Sequence, residues 1–205
     1  MTVVHLPLTA VSRAPQNLTL TIETWAPTVL AERFGLSPIQ IGSLLAAPQA
    51  IRTFGGFAVA ALESALIKNG VELLSIRKWM AVCAQLPEAA CAVVYGLAAT
   101  PRAATLAYAG FVTSGLFNYS GAWANEIEVH GADAAMIGAV GNVLANAFGV
   151  VVPIMGVWLR QRTGSWAAHL MFGAACKVLA TLAYVSSVTL DDARTSLKKR
   201  RGHAT

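Results

Sequence analysis

The chain has 205 residues, of which 56% are hydrophobic and only 12% are charged, and its mean hydropathy is +0.57. Because about a quarter of the residues of an ordinary soluble domain are charged, this composition argues against a water-soluble enzyme and predicts a protein of the lipid bilayer. The formal net charge of +5 comes largely from a basic cluster at residues 198–201, so it does not indicate binding of nucleic acid.

Apolar runs long enough to cross a bilayer, about 20 residues each, predict the helices in chain order. The first is a partial span at 16–33, because Glu23 and Pro27 interrupt the apolar pattern. Five clear spans follow, at 41–62, 79–99, 103–124, 134–159 and 166–190. We therefore expect an all-α membrane protein, with a bundle of about six transmembrane helices over residues 1–190 and a basic tail at 191–205.

The basic residues between the spans divide unequally between the two ends of the predicted bundle. Eight lie at one end: Lys68, Arg77, Lys78, Arg194, Lys198, Lys199, Arg200 and Arg201. Four lie at the other end: Arg33, Arg102, Arg160 and Arg162. Because Lys and Arg concentrate on the cytoplasmic side of membrane proteins, this asymmetry predicts an integral, multi-pass protein with a cytoplasmic C-terminus.

Patterns of catalytic and metal-binding residues do not occur in the sequence. Cys83, Cys91 and Cys176 each fall in an apolar run, without CxxC or Cys/His spacing. There is no HExxH, no GxSxG and no glycine-rich phosphate loop. We therefore expect no metal, no cofactor and no enzymatic activity.

Four ionisable residues lie inside the predicted spans: Glu23, Arg52, Glu88 and Lys177. On insertion scales such a side chain costs roughly 2.5 to 3.5 kcal/mol, so each is expected to face protein or water. For Arg52 two interpretations stay open: an ion pair with Glu23 or Glu88 that holds the bundle together, or a role in binding an anion or relaying protons. For Lys177 we weigh snorkelling or helix packing against a role in transport.

The predicted span at 134–159 carries a stripe of small and amide residues at helical spacing. Its members are Gly138, Gly141, Asn142, Ala145, Asn146, Gly149 and Pro153. Small residues let helices approach closely, and amides in lipid need hydrogen-bond partners, so the stripe is expected to face the bundle interior. The glycines suit packing alone, whereas Asn142 and Asn146 are also candidates for contact with a ligand.

The predicted span at 103–124 ends in polar and aromatic residues. One helical stripe holds Asn118, Gly121, Ala122 and Asn125, and an adjacent stripe holds Tyr119 and Trp123. The aromatic pair suits either an interfacial belt at headgroup level or a sugar or carboxylate ligand.

An ordered series of short segments extends over residues 17–190. It comprises TWAPTVLAERFGLS, ALESALIKNG, SIRKWM, Pro87, FNYSGAWANEIEV, the spacing from Asn142 through Asn146 and Gly149 to Pro153, and GSW. The series resembles the C-terminal half of the anion:cation symporter family of the major facilitator superfamily. That family contains sialin, vesicular glutamate carriers, phosphate carriers and bacterial sugar-acid permeases.

The resemblance implies a fold equivalent to the C-terminal half of a carrier of that superfamily, from part of its seventh helix to its twelfth. It implies transport of an organic or inorganic anion (carboxylate, sugar acid or phosphate) coupled to protons or sodium. It also implies that Ser120, Trp123 and Asn142 face the substrate, with Tyr119 and Asn146 as second choices. Because such carriers rock one bundle against another, we expect an N-terminal half-bundle or a second copy to complete the cavity.

The chain departs from the family pattern at two places. Ser64 and Ala65 stand where the family carries an Asp-Arg pair, with Glu63 one position early. Residues 125–128 read Asn-Glu-Ile-Glu in place of Asn-His-Leu-Asp. The departure at Ser64 and Ala65 mildly favours the alternative of a non-transporting, half-length membrane protein that acts as an assembly partner or regulator.

Overall fold

The computed structural model describes residues 22–125 and 134–187, and all regular structure within these ranges is helical. Helix α1 covers 22–34, α2 Pro38–Lys68, α3 Leu73–Leu97 and α4 Pro101–Gly115. The chain then continues through a 3-10 turn, Leu116–Asn118, and a π-helical turn, Tyr119–Trp123. Helices α5, Ala134–Thr163, and α6, Trp166–Ser187, complete the described structure.

Three of the described helices, α2, α3 and residues 166–186 of α6, are long and apolar enough to cross a membrane. They confirm the prediction of an all-α protein with the character of a membrane protein. The expected number of about six spans is not reached among the described residues. One reason is that α4 has only 15 regular residues before its geometry changes. Residues 16–21 of the partial span, residues 188–190 and the tail at 191–205 lie outside the described residues.

Local sequence signals set the helix boundaries. Ser37 begins α2 with a capping box, in which its side chain accepts from the Gln40 backbone N–H and the Gln40 side chain accepts from the Ser37 N–H. Thr100 caps α4 in a similar way, and each helix has a proline in its first turn. Gly35 ends α1 with a φ of 65°, a conformation that favours glycine.

Helix α3 is central: α4 and α6 pack against it, α2 packs on α4, and α5 packs mainly on α6. The main core cluster lies where α1, α3, α4 and α6 meet, around Leu30, Tyr95, Phe111 and Leu170, each at most 2% exposed. The Tyr95 hydroxyl donates to the Ala26 carbonyl at 2.8 Å, which satisfies its polar end inside the core.

Large apolar side chains also cover the outer surface. On α2, Ile39, Phe54 and Phe57 are 85%, 70% and 78% exposed, and Val143 of α5 is 69% exposed. An apolar surface of this extent marks contact with lipid or with another protein. The outer faces therefore agree with the composition in indicating a membrane environment.

Candidate functional site

The helix that begins as α4 changes its geometry at the polar residues of the FNYS segment. After Gly115 it tightens into the 3-10 turn and then widens into the π-helical turn that contains Tyr119 and Ser120. Such turns interrupt the regular backbone ladder and occur frequently at functional sites. Here the Ser120 carbonyl accepts a hydrogen bond from Arg77 Nη1 at 2.6 Å, so a side chain of α3 satisfies the irregular backbone.

A buried charged group holds this irregular segment between α2 and α3. Arg77 Nη1 lies 2.5 Å from Glu63 Oε1, and the two side chains are 4% and 19% exposed. The Ser120 side chain also lies close enough to the Glu63 carboxylate to interact with it. The sequence predicts Arg77 in the loop between two spans. The loop position is wrong, because α3 begins at Leu73 and carries Arg77 into the bundle.

A second polar group, the Arg52 cluster (Glu23, Gln49, Arg52, Tyr108 and Tyr119), lies beside the π-helical turn. Arg52 Nη1 is 2.5 Å from Glu23 Oε1, and the side chains are 36% and 18% exposed. Tyr119 interacts with Arg52 through its side chain, and Gln49 Nε2 donates to Tyr108 Oη at 2.9 Å. The prediction that Arg52 pairs with Glu23 or Glu88 is confirmed, with Glu23 as the partner.

The positions of Arg52 and Glu63 on α2 explain why both charged groups meet one irregular segment. They are eleven residues apart, which is close to three turns of an α-helix, so they lie on the same face. Ile41, Pro48 and Val59 are buried on this helix. One stripe of α2 therefore contacts the bundle, and it carries charges within an apolar surround.

A third charged pair is wholly enclosed. Lys177 Nζ of α6 bonds to Glu88 Oε2 of α3, and the two side chains are 1% and 0% exposed. The ammonium lies 5.4 Å from the centroid of the Phe111 ring. A Cβ at Gly115 would lie 2.6 Å from Glu88 Oε1, so glycine leaves room for the carboxylate. Lys177 therefore does not snorkel: the structure supports the packing interpretation.

The amide stripe of α5 is only partly buried. Gly141 is buried, and Gly138, Gly149 and Pro153 are half-buried, but Asn142 and Asn146 are exposed. The expectation that the whole stripe faces the interior of this bundle is wrong for the two amides. The reason is that Val152 and Gly156, which are buried, continue the glycine edge of the stripe towards α6, whereas Asn142 and Asn146 lie on its opposite edge.

The predicted substrate-facing residues thus fall into three groups. Tyr119 and Arg52 come together, and Ser120 lies next to them but is turned towards Glu63 and Arg77. Asn142 and Asn146 are exposed on α5. The side chain of Trp123 is not among those that the structure describes. The sequence did not mark Gln49, Arg77 or Tyr108 as site residues, and it marked Glu63 only as a departure from the family pattern. The three-turn spacing of Arg52 and Glu63 was a signal that the two lie on one face.

A separate polar contact joins three helices at one end of the bundle. Glu32 Oε2 of α1 accepts from Arg160 Nη2 at 2.7 Å and from Trp166 Nε1 at 2.9 Å. These hydrogen bonds, the one from Trp166 first, hold the pKa of Glu32 below its ordinary value. Nearby, Arg33 donates to the carbonyls of Gly96 and Ala98 at the end of α3. This end of the bundle is tied by side chains, not by apolar packing alone.

Within residues 22–125 and 134–187, no three His, Cys, Asp or Glu side chains are placed to hold a metal ion. The three cysteines are free. In comparisons with known proteins, no family model matches the chain and no curated protein matches it. The resemblance to anion symporters therefore stays a prediction.

Proposed function

We propose that this chain is the C-terminal half of a secondary transporter that carries a small organic or inorganic anion across a membrane together with protons or sodium. The solute would be a carboxylate, a sugar acid or phosphate. The proposal draws on the segments that resemble the anion:cation symporter family and on the three spanning-length helices. It involves no covalent chemistry and no cofactor.

The observation that carries the proposal is the Arg52 cluster. A guanidinium at mid-helix in an apolar protein is costly, so it is retained for pairing or for function. Its planar set of N–H donors matches a carboxylate or phosphate, and the Arg52 side chain is 36% exposed, so part of it is reachable from outside. The hydroxyl of Tyr119 and the amide of Gln49 supply neutral hydrogen-bonding groups beside it.

The remaining candidate residues define what else the carrier would need. Asn142 and Asn146 present amides on the outside of this chain, where lipid would leave them without partners. We therefore propose that an N-terminal half-bundle or a second copy covers α5 and completes the cavity with Ser120 and Trp123. Under this proposal the C-terminus lies in the cytoplasm.

One observation favours the alternative of a non-transporting assembly partner or regulator. At the position where the family carries a charged pair, Ser64 donates its hydroxyl to the Ala60 carbonyl of its own helix. Ala65 beside it carries no polar side-chain group. Ser64 and Ala65 therefore offer no charge of their own for a contact that switches between conformations, and the neighbouring carboxylate of Glu63 is already paired with Arg77.

Uptake into proteoliposomes tests the two functions against each other. Labelled phosphate, glutamate and glucuronate would be offered to the chain alone and to the chain reconstituted with an N-terminal half-bundle of the symporter family. We expect uptake of one anion class by the reconstituted pair, and at least tenfold less after Arg52→Gln. Arg102→Gln, a change at an exposed arginine outside the cluster, is the matched control and should retain uptake.

Two further variants test the assignment of α5. Asn142→Ala should impair transport with little loss of folding, whereas Gly141→Leu should disrupt packing because the position is buried. Uptake unaffected by both changes would show that α5 does not line the cavity. Absence of uptake under all conditions, with the chain still copurifying with a partner, would favour the assembly function.

A further inference from the structure

We infer that Glu23 is the proton-binding group of this site. When Glu23 takes up a proton, Arg52 exchanges its ion pair with Glu23 for an ion pair with the anionic solute. This inference rests on the proposed transport of an anion and adds its coupling mechanism. It places coupling within the described bundle, on the contact between α1 and α2.

Accessibility distinguishes the Arg52–Glu23 pair from the other two ion pairs of the bundle interior. The side chains of Lys177 and Glu88 are 1% and 0% exposed, and that of Arg77 is 4% exposed. The Arg52 and Glu23 side chains are 36% and 18% exposed. In the Arg77–Glu63 pair the carboxylate is 19% exposed, close to the value for Glu23, but Arg77 itself is covered. Among the described ion pairs of the bundle interior, a proton can therefore reach either Glu23 or Glu63, whereas an anionic solute can reach Arg52 but not Arg77 or Lys177 without unpacking helices.

The groups that face Glu23 come from four elements. Arg52 bonds to it from α2, and Tyr119 of the π-helical turn bonds to Arg52. Tyr108 of α4 and Lys177 of α6 lie within electrostatic reach of Glu23. Lys177 is itself neutralised by Glu88. Within residues 22–125 and 134–187, the charge balance at the cluster is therefore set by Arg52 and Glu23.

This balance gives a simple exchange of partners. With Glu23 ionised, the pair is neutral and Arg52 already holds a carboxylate. When Glu23 takes up a proton, its carboxylate becomes a neutral acid and Arg52 is left with one uncompensated positive charge in an apolar surround. A monovalent carboxylate or phosphate restores neutrality, because it presents the same oxygen acceptors that Glu23 presented. When the solute leaves, Glu23 releases its proton and bonds to Arg52 again.

The exchange moves one proton with each monovalent anion, so transport is electroneutral. Tyr119 and Gln49 keep neutral hydrogen-bonding groups beside Arg52 in both states. A sodium ion has no role in this cycle.

The test uses the chain reconstituted with its N-terminal half and the anion found to be transported. Wild-type protein should accumulate labelled anion when the outside is made acidic, and a change in membrane potential should not alter the rate. Glu23→Gln mimics the protonated acid. It should keep exchange of labelled for unlabelled anion but lose accumulation driven by the pH gradient by at least tenfold.

Two variants serve as controls for the charge change. Glu23→Asp keeps a titratable carboxylate and should restore proton-driven accumulation in part. Glu32→Gln removes a carboxylate from the same helix at the polar contact with Arg160 and Trp166, and should leave coupling intact. Repeating the assays in vesicles with and without anionic lipid distinguishes a soluble anion from a lipid phosphate at Arg52. A soluble solute gives the same result in both.

The outcomes separate this inference from the proposed function. Two results with Glu23→Gln would overturn the role of Glu23 but not the proposed transport. One is proton-driven accumulation that persists in the variant. The other is loss of both accumulation and exchange while circular dichroism shows that the variant is folded. Transport that follows the membrane potential also overturns the role of Glu23. Failure of the wild-type pair to move any anion overturns the proposed function itself.

Discussion

Removal of Lys177 should destabilise the bundle strongly, because it leaves the carboxylate of Glu88 buried without its charge partner. The two side chains are 1% and 0% exposed, so water cannot replace the lost ammonium. Breaking a buried ion pair from one side typically costs about 3 to 5 kcal/mol. That is a large part of the roughly 5 to 15 kcal/mol by which native proteins are stable. We therefore expect Lys177→Met to be among the most damaging single substitutions in α6.

The expected shift in melting temperature follows from the size of the chain. At about 2 to 4 °C per kcal/mol for chains of 150 to 250 residues, Lys177→Met should lower Tm by roughly 6 to 20 °C. The double variant Glu88→Met with Lys177→Met removes both charges and keeps similar volumes. It should recover most of this loss, because well-packed apolar residues often replace a buried pair without cost.

Thermal unfolding of the detergent-purified protein, followed by circular dichroism, measures both variants. Val178→Ala is the control, since Val178 neighbours Lys177 in sequence but is 36% exposed. It should change Tm by no more than a few degrees. A single variant as stable as the wild type, or a double variant less stable than Lys177→Met, would show that the pair does not hold α3 and α6 together.

Two further predictions concern packing and pH. Gly121→Ala should cost about 1 to 3 kcal/mol of folding stability, because the new Cβ would lie 2.8 Å from the backbone nitrogen of Ala81. As a control, Gly56→Ala places its Cβ in open space and should raise stability by up to about 1 kcal/mol. Equal Tm shifts in the two variants would contradict close packing at Gly121. The lowered folded-state pKa of Glu32 means that its contacts add stability above the ordinary carboxyl pKa and lose it as the pH falls through the lowered pKa. Because Glu32 is solvent-exposed, we expect this loss of stability to be about 1 kcal/mol or less. Glu32→Gln should remove that part of the pH dependence of Tm. A pH profile of Tm that is the same in the variant and the wild type would exclude Glu32 as its source.

The apolar runs of the sequence were enough to predict helices at 41–62, 79–99 and 166–190, and the structure has spanning-length helices at each place. Hydropathy is a property of the local composition, and in a bilayer a long apolar segment has few structures other than a helix. Glu23 is one of the two ion-pair partners that the sequence predicted for Arg52. This prediction was possible because the predicted spans contain few charged residues.

Residue partners across the bundle were beyond what the sequence could give. Lys177 and Glu88 are 89 positions apart, and nothing in either segment shows that α3 and α6 pack side by side. The same holds for Arg77. Its position near the start of a helix predicts a cation in a loop, and only the packing of α3 against the π-helical turn shows that it bonds to the Ser120 carbonyl. The helical stripe of α5 was also visible in the sequence, but which side of it meets α6 was not.

Composition and the spacing of apolar residues thus determined that this protein is a set of helices with a membrane character, and that Glu23, Arg52, Glu88 and Lys177 lie within those helices. The tertiary structure decided which charge meets which, where α4 loses its regular geometry, and that Asn142 and Asn146 are left on the outside. The physical reason is that helix formation depends on neighbours within one turn or two, whereas the pairing of buried charges depends on helix faces brought together from distant parts of the chain.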